Sequence, residues 1–550
     1  MAQRHWTYYL RPRPGEDTPT AFRLAYAAVS GAALSLSYTG FFLSVYAWVC
    51  IGILLIVIFD ARPRVPFACG FLHSFFFCLT SLPWIATVLA SHGGLSRVGG
   101  WAILLLVATA WGIITGVFAL CVQRLARRSI ALACLGAPFL WVTFEFVRAH
   151  LPEIGFPWNL LGYPASANLG LLQLAPITGI YGLSFAVAAF NSLLAWTYTA
   201  SGRVLSRRFT ILAASAAAIL LTSIVGPYLV PQTAANHYVR AVQVNFPELQ
   251  EYPADWFQTH TQDLQEIRDL SLAPSPHQPD LLVWPEAPAP FSFEDPRFAQ
   301  IASSTAIRFH HPFIAGVIEW KPITESSGPT THTIQAPYNS AILLDAQGQE
   351  IFTYDKVHLV PFGEYEPFPL IHRVVTSLSS EVGGFRNGSS YSVGHLPGGF
   401  TFGTFICYEA IFPGEVRHFA ENGAELYVNI SNDGWFGRSA APEQHLRMAR
   451  VRAVENRRWL VRVTNNGFTV SVDPYGRIFR QLPPDVRAAA DLRYDFRTDE
   501  TLYTRFGDWF AWLCVIVSVI LVASTFKKGN IVREELFMPA EIPPSLVTSS

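Results

Sequence analysis

Three polar side chains stand at or near the ends of apolar strand-like segments: Glu286 in LLVWPEA, Lys356 in FTYDKVHLVPFGEY and Cys407 in TFICYEA. A thiol of pKa ~8.5 is mostly protonated at neutral pH and is then a poor nucleophile. A carboxylate beside it takes its proton. An ammonium beside both stabilises an oxyanion. Glu, Lys and Cys together therefore suffice for acyl transfer through a thioester, and no histidine is required. Each residue alone has an ordinary reading: a buried small hydrophobe for the Cys, solvated rim residues for the Glu and Lys. Their combination in this order changes the balance. A Cys–His thiol enzyme using His358, His418 or His445 is the competing arrangement. Of the seven cysteines, at 50, 69, 78, 121, 134, 407 and 514, only Cys407 lies outside strongly apolar runs. No CxxC pair exists, so neither a structural zinc site nor a thioredoxin-like redox pair is expected.

The elements that must position these residues lie in His237–Tyr503, a segment of ordinary soluble composition. HYVRAVQVNF, DLLVWPEA, HPFIAGVIE, FTFGTFICYEA and AELYVNISND read as strands. DWFQTHTQDLQEIRDL, FAQIASSTAIRF, FPGEVRHFAENG and APEQHLRMARVRAVENRR read as helices. NSAILLDAQGQEIFTYDKVHL is a hairpin turning at Gly348, and WLVRVTNNGFTVSVDPYGRIF is a second. Strand–helix alternation with interspersed hairpins predicts an α/β sandwich with a mixed sheet. Strand ends in such a sheet converge on a crevice.

The rest of the chain is of another kind. Of the 550 residues, 51% are apolar and only 14% charged, against about 25% charged in soluble proteins. Net charge is −1, which gives no case for nucleic-acid binding by a basic surface. Phe41–Phe59, Pro66–Ala90, Trp101–Val122, Leu171–Thr199, Phe209–Val230 and Trp509–Phe526 carry no Asp, Glu, Lys or Arg. A bilayer takes about 20 helical residues. With the weaker runs Leu24–Gly40 and Ile130–Val147, eight spans are expected. Arg4, Arg11, Arg13, Arg23, Arg62, Arg64, Arg124, Arg127, Arg128, Arg203, Arg207, Arg208, Lys527, Lys528 and Arg533 then fall on one side, and Arg97 and Arg148 on the other. That positive-inside bias puts His237–Tyr503 outside the cytoplasm, between spans seven and eight. Glu145 and Arg148, three apart near the outer end of span five, read as an interfacial ion pair or as polar groups facing an active-site cavity.

The motifs also carry a resemblance. WPE (284–286), YDKVHLVPFGE (354–364) and CYE (407–409) resemble the carbon–nitrogen hydrolase (nitrilase) superfamily. SNDGWFGRSAAPEQHLRMARVRAVENRRWLVRVTNNG (431–467), with GFPWNLLGY (155–163) and the flanking apolar runs, is similar to its apolipoprotein N-acyltransferase family. The resemblance implies an αββα sandwich on an eight-helix membrane domain. Residues 1–236 would be the membrane domain, 237–503 a periplasmic catalytic domain, and 504–550 the last span with a cytoplasmic tail. It implies a catalytic triad of Glu286, Lys356 and Cys407, with Glu364, Tyr408 and Glu409 supporting. QVNFPELQEY resembles the family's QGNIPQ stretch, whose functional Trp corresponds to Tyr252 here, and DGW (433–435) replaces the usual DAW. The implied partners are a phospholipid acyl donor, a diacylated apolipoprotein acceptor and the bacterial inner membrane. No cofactor, metal or nucleic acid is expected.

Residues 361–390, PFGEYEPFPLIHRVVTSLSSEVGGFRNGSS, run from apolar aromatics to a Gly-, Asn- and Ser-rich stretch. They read either as a connecting excursion or as a mobile lid at the membrane surface. In the second reading Phe362, Phe368, Leu370 and Ile371 are its anchors.

Overall fold

The computed structural model describes residues 18–526 apart from 92–94, 153–154, 250–251, 328–329 and 366–383. The central part of the expected lid, with Phe368, Leu370 and Ile371, lies outside the described residues.

Four helices are long and apolar enough to cross a membrane: Arg97–Ala126, Ile130–Ala149, Ala175–Tyr198 and Gly202–Leu229. Val65–Ser81 and Pro83–Ser91 make a fifth candidate if the 50° bend between them lies within one span. Leu43–Ile58 and Trp509–Ser524 are apolar but shorter, and Thr20–Ser35 has 16 residues. Length and composition thus give four or five spans among the described residues, not the expected eight. The difference arises at breaks in the apolar runs, such as the 3-10 turns Leu36–Tyr38 and Phe41–Tyr46. Small residues let these helices approach closely. A Cβ at Gly70 would lie 2.3 Å from the Thr115 carbonyl oxygen. Helix Ala175–Tyr198 is interrupted at Gly179, whose φ is 63°.

The polar segment folds as two six-stranded sheets. The first has the order β12-β1-β2-β3-β4-β5, built from β1 (His237–Gln243), β2 (Leu281–Val283), β3 (Phe313–Ser327), β4 (Thr330–Leu344), β5 (Glu350–Asp355) and β12 (Ala488–Tyr494). The second has the order β11-β10-β9-β8-β7-β6. Its strands are β6 (Val393–His395), β7 (Thr401–Ile406), β8 (Leu426–Ser431), β9 (Trp459–Thr464), β10 (Val470–Val472) and β11 (Ile478–Gln481). Strands β1–β2–β3 and β7–β8–β9 pair in parallel. Apolar side chains alternate with period two. Val239, Val283, Ile314, Leu343 and Leu492 of the first sheet meet Phe402, Val428 and Val461 of the second between the sheets. Val242, Leu282, Phe313 and Ile342 face the other way, onto Thr261–Leu272 and Pro296–Phe309. On the second sheet's outer side lie Pro413–Glu421 and Ala441–Asn456. The mixed α/β sandwich expected from the pattern is present.

Some elements differ from the sequence expectation. The stretch read as one closing hairpin contains three strands, β9, β10 and β11. DWFQTHTQDLQEIRDL divides into Trp256–Thr259 and Thr261–Leu272. Strand β12, rich in Ala and charged residues, carries no strand signal of its own and is fixed by antiparallel pairing along all of β1. The Cys407–Ile411 turn and helix Ala441–Asn456 share a core with the membrane helices. Tyr408, Ile411, Met448 and Val451 pack in the same cluster as Trp84, Trp111 and Trp158.

Candidate active site

Glu286, Lys356 and Cys407 each sit just past a strand end: β2, β5 and β7. Gly316 on β3 admits the Glu286 backbone, because a Cβ there would lie 2.6 Å from the Glu286 Cα. Lys356 is anchored through its N–H to the Asn339 carbonyl at 2.8 Å, and its side chain is fully buried. Its Nζ donates to Glu364 Oε1 at 2.9 Å and to Glu286 Oε1 at 3.3 Å. Asn339 Nδ2 donates to the same two oxygens, at 2.7 and 2.8 Å. The remaining oxygens are held by backbone: Glu286 Oε2 by the Asn432 N–H at 2.7 Å and Glu364 Oε2 by the Val360 N–H at 2.7 Å. Burial alone would lower the Lys356 pKa. The Glu364 and Glu286 carboxylates outweigh it and hold the pKa above its usual value, so Lys356 is an ammonium.

Cys407 is buried and has a left-handed backbone, φ 48°, which is rare for a non-glycine residue. Burial raises its thiol pKa, and the Glu286 charge raises it further; Lys356 and a hydrogen bond with Ser431 oppose them. The resting group is therefore a thiol, which needs a base to become a nucleophile. Among the described residues no group of three or more His, Cys, Asp or Glu is placed to hold a metal.

The carbon–nitrogen hydrolase family model matches residues 239–492, and the model of the apolipoprotein N-acyltransferase N-terminal domain matches residues 30–193. An apolipoprotein N-acyltransferase of Geobacter metallireducens is 33% identical over 92% of this chain and 95% of its own. The chain belongs to the apolipoprotein N-acyltransferase family. Similar relatives with the same name include that of Thermotoga maritima, 30% identical over 92% of this chain and 94% of its own. That of Rhodopseudomonas palustris is 32% identical over 72% and 75%. As a member of this family the chain is an acyltransferase.

The other residues expected at the site divide. Glu364 stands in the Lys356 cluster. Glu409 does not: its Oε1 accepts from the Tyr354 hydroxyl at 2.7 Å and from the Val357 and His358 N–H groups at 2.8 and 3.1 Å. Its Oε2 accepts from the Ile406 N–H at 2.6 Å. It ties the Lys356 loop to the Cys407 turn. Burial pushes its carboxyl up to about 7 against the hydrogen bonds from Ile406 and Tyr354. Tyr408 faces the membrane half, stacked with Phe156 at 6.4 Å between centroids. The Tyr252 hydroxyl donates to the Pro288 carbonyl at 3.3 Å, and its ring lies edge-on to Trp256. Both of these contacts lie outside the Lys356 cluster.

None of the three candidate histidines bonds the Cys407 thiol. His358 pairs with Glu415 and His418 with Glu421. His445 Nε2 donates to the Cys407 backbone carbonyl at 2.9 Å, which supports the unusual turn. Its Nδ1 faces Asp433 and Arg462. Burial and the Arg462 charge lower its pKa. Asn339 and Asn432 are neighbours of the candidate residues that sequence reasoning did not single out, and His445, weighed there as a thiol partner, instead bonds the Cys407 backbone. Asn339 opens the apolar run NSAILL, and a polar residue at the edge of that run is the one signal the sequence offers.

The aromatic loop 155–163 lies beside this site. Trp158 is fully buried. It donates to Gln444 Oε1 at 2.7 Å and lies 5.7 Å from the His445 ring. Glu145 Oε1 accepts from the Leu161 N–H at 2.7 Å. Arg148 donates to the Trp158 carbonyl at 3.2 Å and covers the Trp111 ring. Both charged residues therefore hold the loop. They also line a small cavity of about 40 Å³ with Tyr38, Phe77, Trp141 and Asn159.

Proposed function

We propose that the protein transfers an acyl chain from a membrane glycerophospholipid to the α-amine of a diacylglyceryl-cysteine at an apolipoprotein N-terminus. The observation that carries this reading is the buried Glu286–Lys356 pair beside the Cys407 turn, next to an aromatic loop of the apolar helices. Glu286 takes the Cys407 proton as the sulfur attacks the sn-1 ester carbonyl. Lys356 and a backbone N–H at the Cys407 turn stabilise the oxyanion. The C–O bond breaks, the proton passes from Glu286 to the departing lysophospholipid oxygen, and a thioester remains. The α-amine then attacks the thioester. Its proton goes through Glu286 to the departing Cys407 sulfur, and an amide is formed.

The membrane half suits such substrates, since each buried CH₂ favours the apolar phase by about 0.8 kcal/mol. In this reading residues 237–503 form the catalytic domain and 1–236 and 504–550 the membrane part. All eight apolar runs, the short ones included, cross the bacterial inner membrane. The distribution of arginine and lysine then puts the catalytic domain on the periplasmic side. Incubation with phospholipid labelled in its sn-1 chain tests this. A labelled thioester on Cys407, discharged as amide by a diacylated lipopeptide, is expected. Discharge to free fatty acid at the same rate with and without lipopeptide would make the enzyme a hydrolase instead.

A further inference from the structure

Glu286 acts as a base only if its carboxylate is held in place, and one of its two oxygens depends on a single backbone donor. The Asn432 N–H reaches Glu286 Oε2 at 2.7 Å. Asn432 follows β8 in the second sheet, whereas Glu286 follows β2 in the first. The Asn432 side chain is held in turn by a residue of the first sheet's loop after β1: its Nδ2 donates to Glu248 Oε2 at 2.9 Å. Glu248 Oε1 accepts from Asn465 Nδ2 at 2.8 Å. Asn465, past the end of β9, also donates to Asn432 Oδ1 at 3.0 Å and to the Phe246 carbonyl at 2.9 Å. The loop after β1 is thus bound to two strand ends of the opposite sheet through one carboxyl group.

Gly434 leaves room for that group, because a Cβ there would lie 2.4 Å from Glu248 Oε1. We propose that Glu248 is a positioning residue for acyl transfer: it fixes Asn432, whose N–H fixes the base. This rests on the reading of Glu286 given above. Burial pushes the Glu248 carboxyl up to about 8, against the Asn465 and Asn432 hydrogen bonds and with the Glu286 charge.

The test uses the full-length enzyme in detergent with labelled phospholipid and a diacylated lipopeptide. Glu248→Ala should lower kcat about tenfold to a hundredfold, the range expected when a reacting group is slightly misplaced. KM for both substrates should stay within about threefold. Glu248→Gln should recover most of the rate. Its amide oxygen still accepts from Asn432, and the Asn465 nitrogen keeps its bonds to Phe246 and Asn432. Gly434→Ala should reproduce the kcat loss by displacing the carboxyl, and the double variant Glu248→Ala/Gly434→Ala should be no slower than either single one. If Glu248→Ala does not fold, Glu248→Gln and Gly434→Ala carry the comparison.

A wild-type kcat in Glu248→Ala or Gly434→Ala, a Gln variant as slow as Ala, or a loss confined to KM would overturn the proposal. The underlying reading fails separately, by normal acylation of Cys407→Ala or wild-type turnover in Glu286→Gln.

Discussion

Replacing Glu286 by Gln separates two ways in which Cys407 can become a nucleophile. If Glu286 takes the thiol proton as the sulfur attacks, the substitution removes the base and slows acyl-enzyme formation by about 10²–10⁴-fold. Its effect on the resting thiol has the opposite sign. The Glu286 charge is, after burial, the second influence that raises the Cys407 pKa. Two unit charges about 5 Å apart interact by about 3 kcal/mol at an effective dielectric constant of ~20, on the order of two pKa units. Deleting one charge then raises the thiolate fraction at fixed pH, up to about a hundredfold. Alkylation of Cys407 by iodoacetamide, followed by peptide mass, should therefore be faster in Glu286→Gln than in the wild type, while acylation by labelled phospholipid is slower. In the wild type, alkylation should climb about tenfold per pH unit between about pH 6 and 9 without a plateau. The reactive form is the deprotonated one, and its titration lies above that range. Parallel losses of alkylation and acylation in Glu286→Gln would refute this reasoning, because Glu286 would then be sustaining a thiolate already formed at rest.

Cys407→Ser should retain the fold by circular dichroism and yield no hydroxylamine-labile adduct; a labelled thioester elsewhere on the chain would move the nucleophile. Lys356→Arg should lose at least about 10²-fold in kcat, as for loss of an oxyanion donor. A forked guanidinium does not fit the fully buried point between Glu364 and Glu286, and near-normal turnover would disprove that fit. Gly316→Ala forces its Cβ against the Pro285 carbonyl oxygen and the Glu286 Cα, at 2.4 and 2.6 Å. It should destroy acylation, and an unaffected rate would show that the strand gives way without moving the base. Glu409→Ala strips the acceptor from the Tyr354, Val357, His358 and Ile406 donors. Each buried unpaired donor costs about 1–3 kcal/mol. The thermal melt in detergent should fall with acylation, and an unchanged melt would mean that water replaces the carboxylate.

The placement of the three candidate residues was legible because strand ends are visible in sequence. Apolar runs stop at Glu286 and Cys407, and Lys356 closes a hairpin. The tertiary partners of those residues were not. Asn432 and Glu248 lie 184 positions apart and meet only when the two sheets face each other. The short strand β10 and the Ala-rich β12 carry weak local signals and are set by pairing with β9 and β1. Helix Ala441–Asn456 reads as amphipathic, yet Gln444, His445, Arg452 and Glu455 on it are all buried. Polar side chains betray burial only through partners, and most of theirs come from other parts of the chain.

That helix explains why the two halves form one site. Gln444 accepts from Trp158 of the aromatic loop, and His445 donates to the Cys407 carbonyl. Arg450 reaches the Ser166 carbonyl at 3.2 Å, and Glu455 accepts at 2.9 Å from the Ile180 N–H, which the break at Gly179 leaves without a helical partner. Burial pushes the Glu455 carboxyl up to about 7, and Arg452 opposes it. Buried polar groups persist only when paired, so these bonds hold the helix at a fixed height against the apolar helices. The Cys407 turn is bonded to the same helix and cannot shift relative to the aromatic loop without breaking them. An acyl ester has its depth set by the chains it buries in the membrane. In the proposed function the Cys407 thiol meets that ester at close range, which requires its own depth to be set by the membrane half, and Ala441–Asn456 supplies that connection.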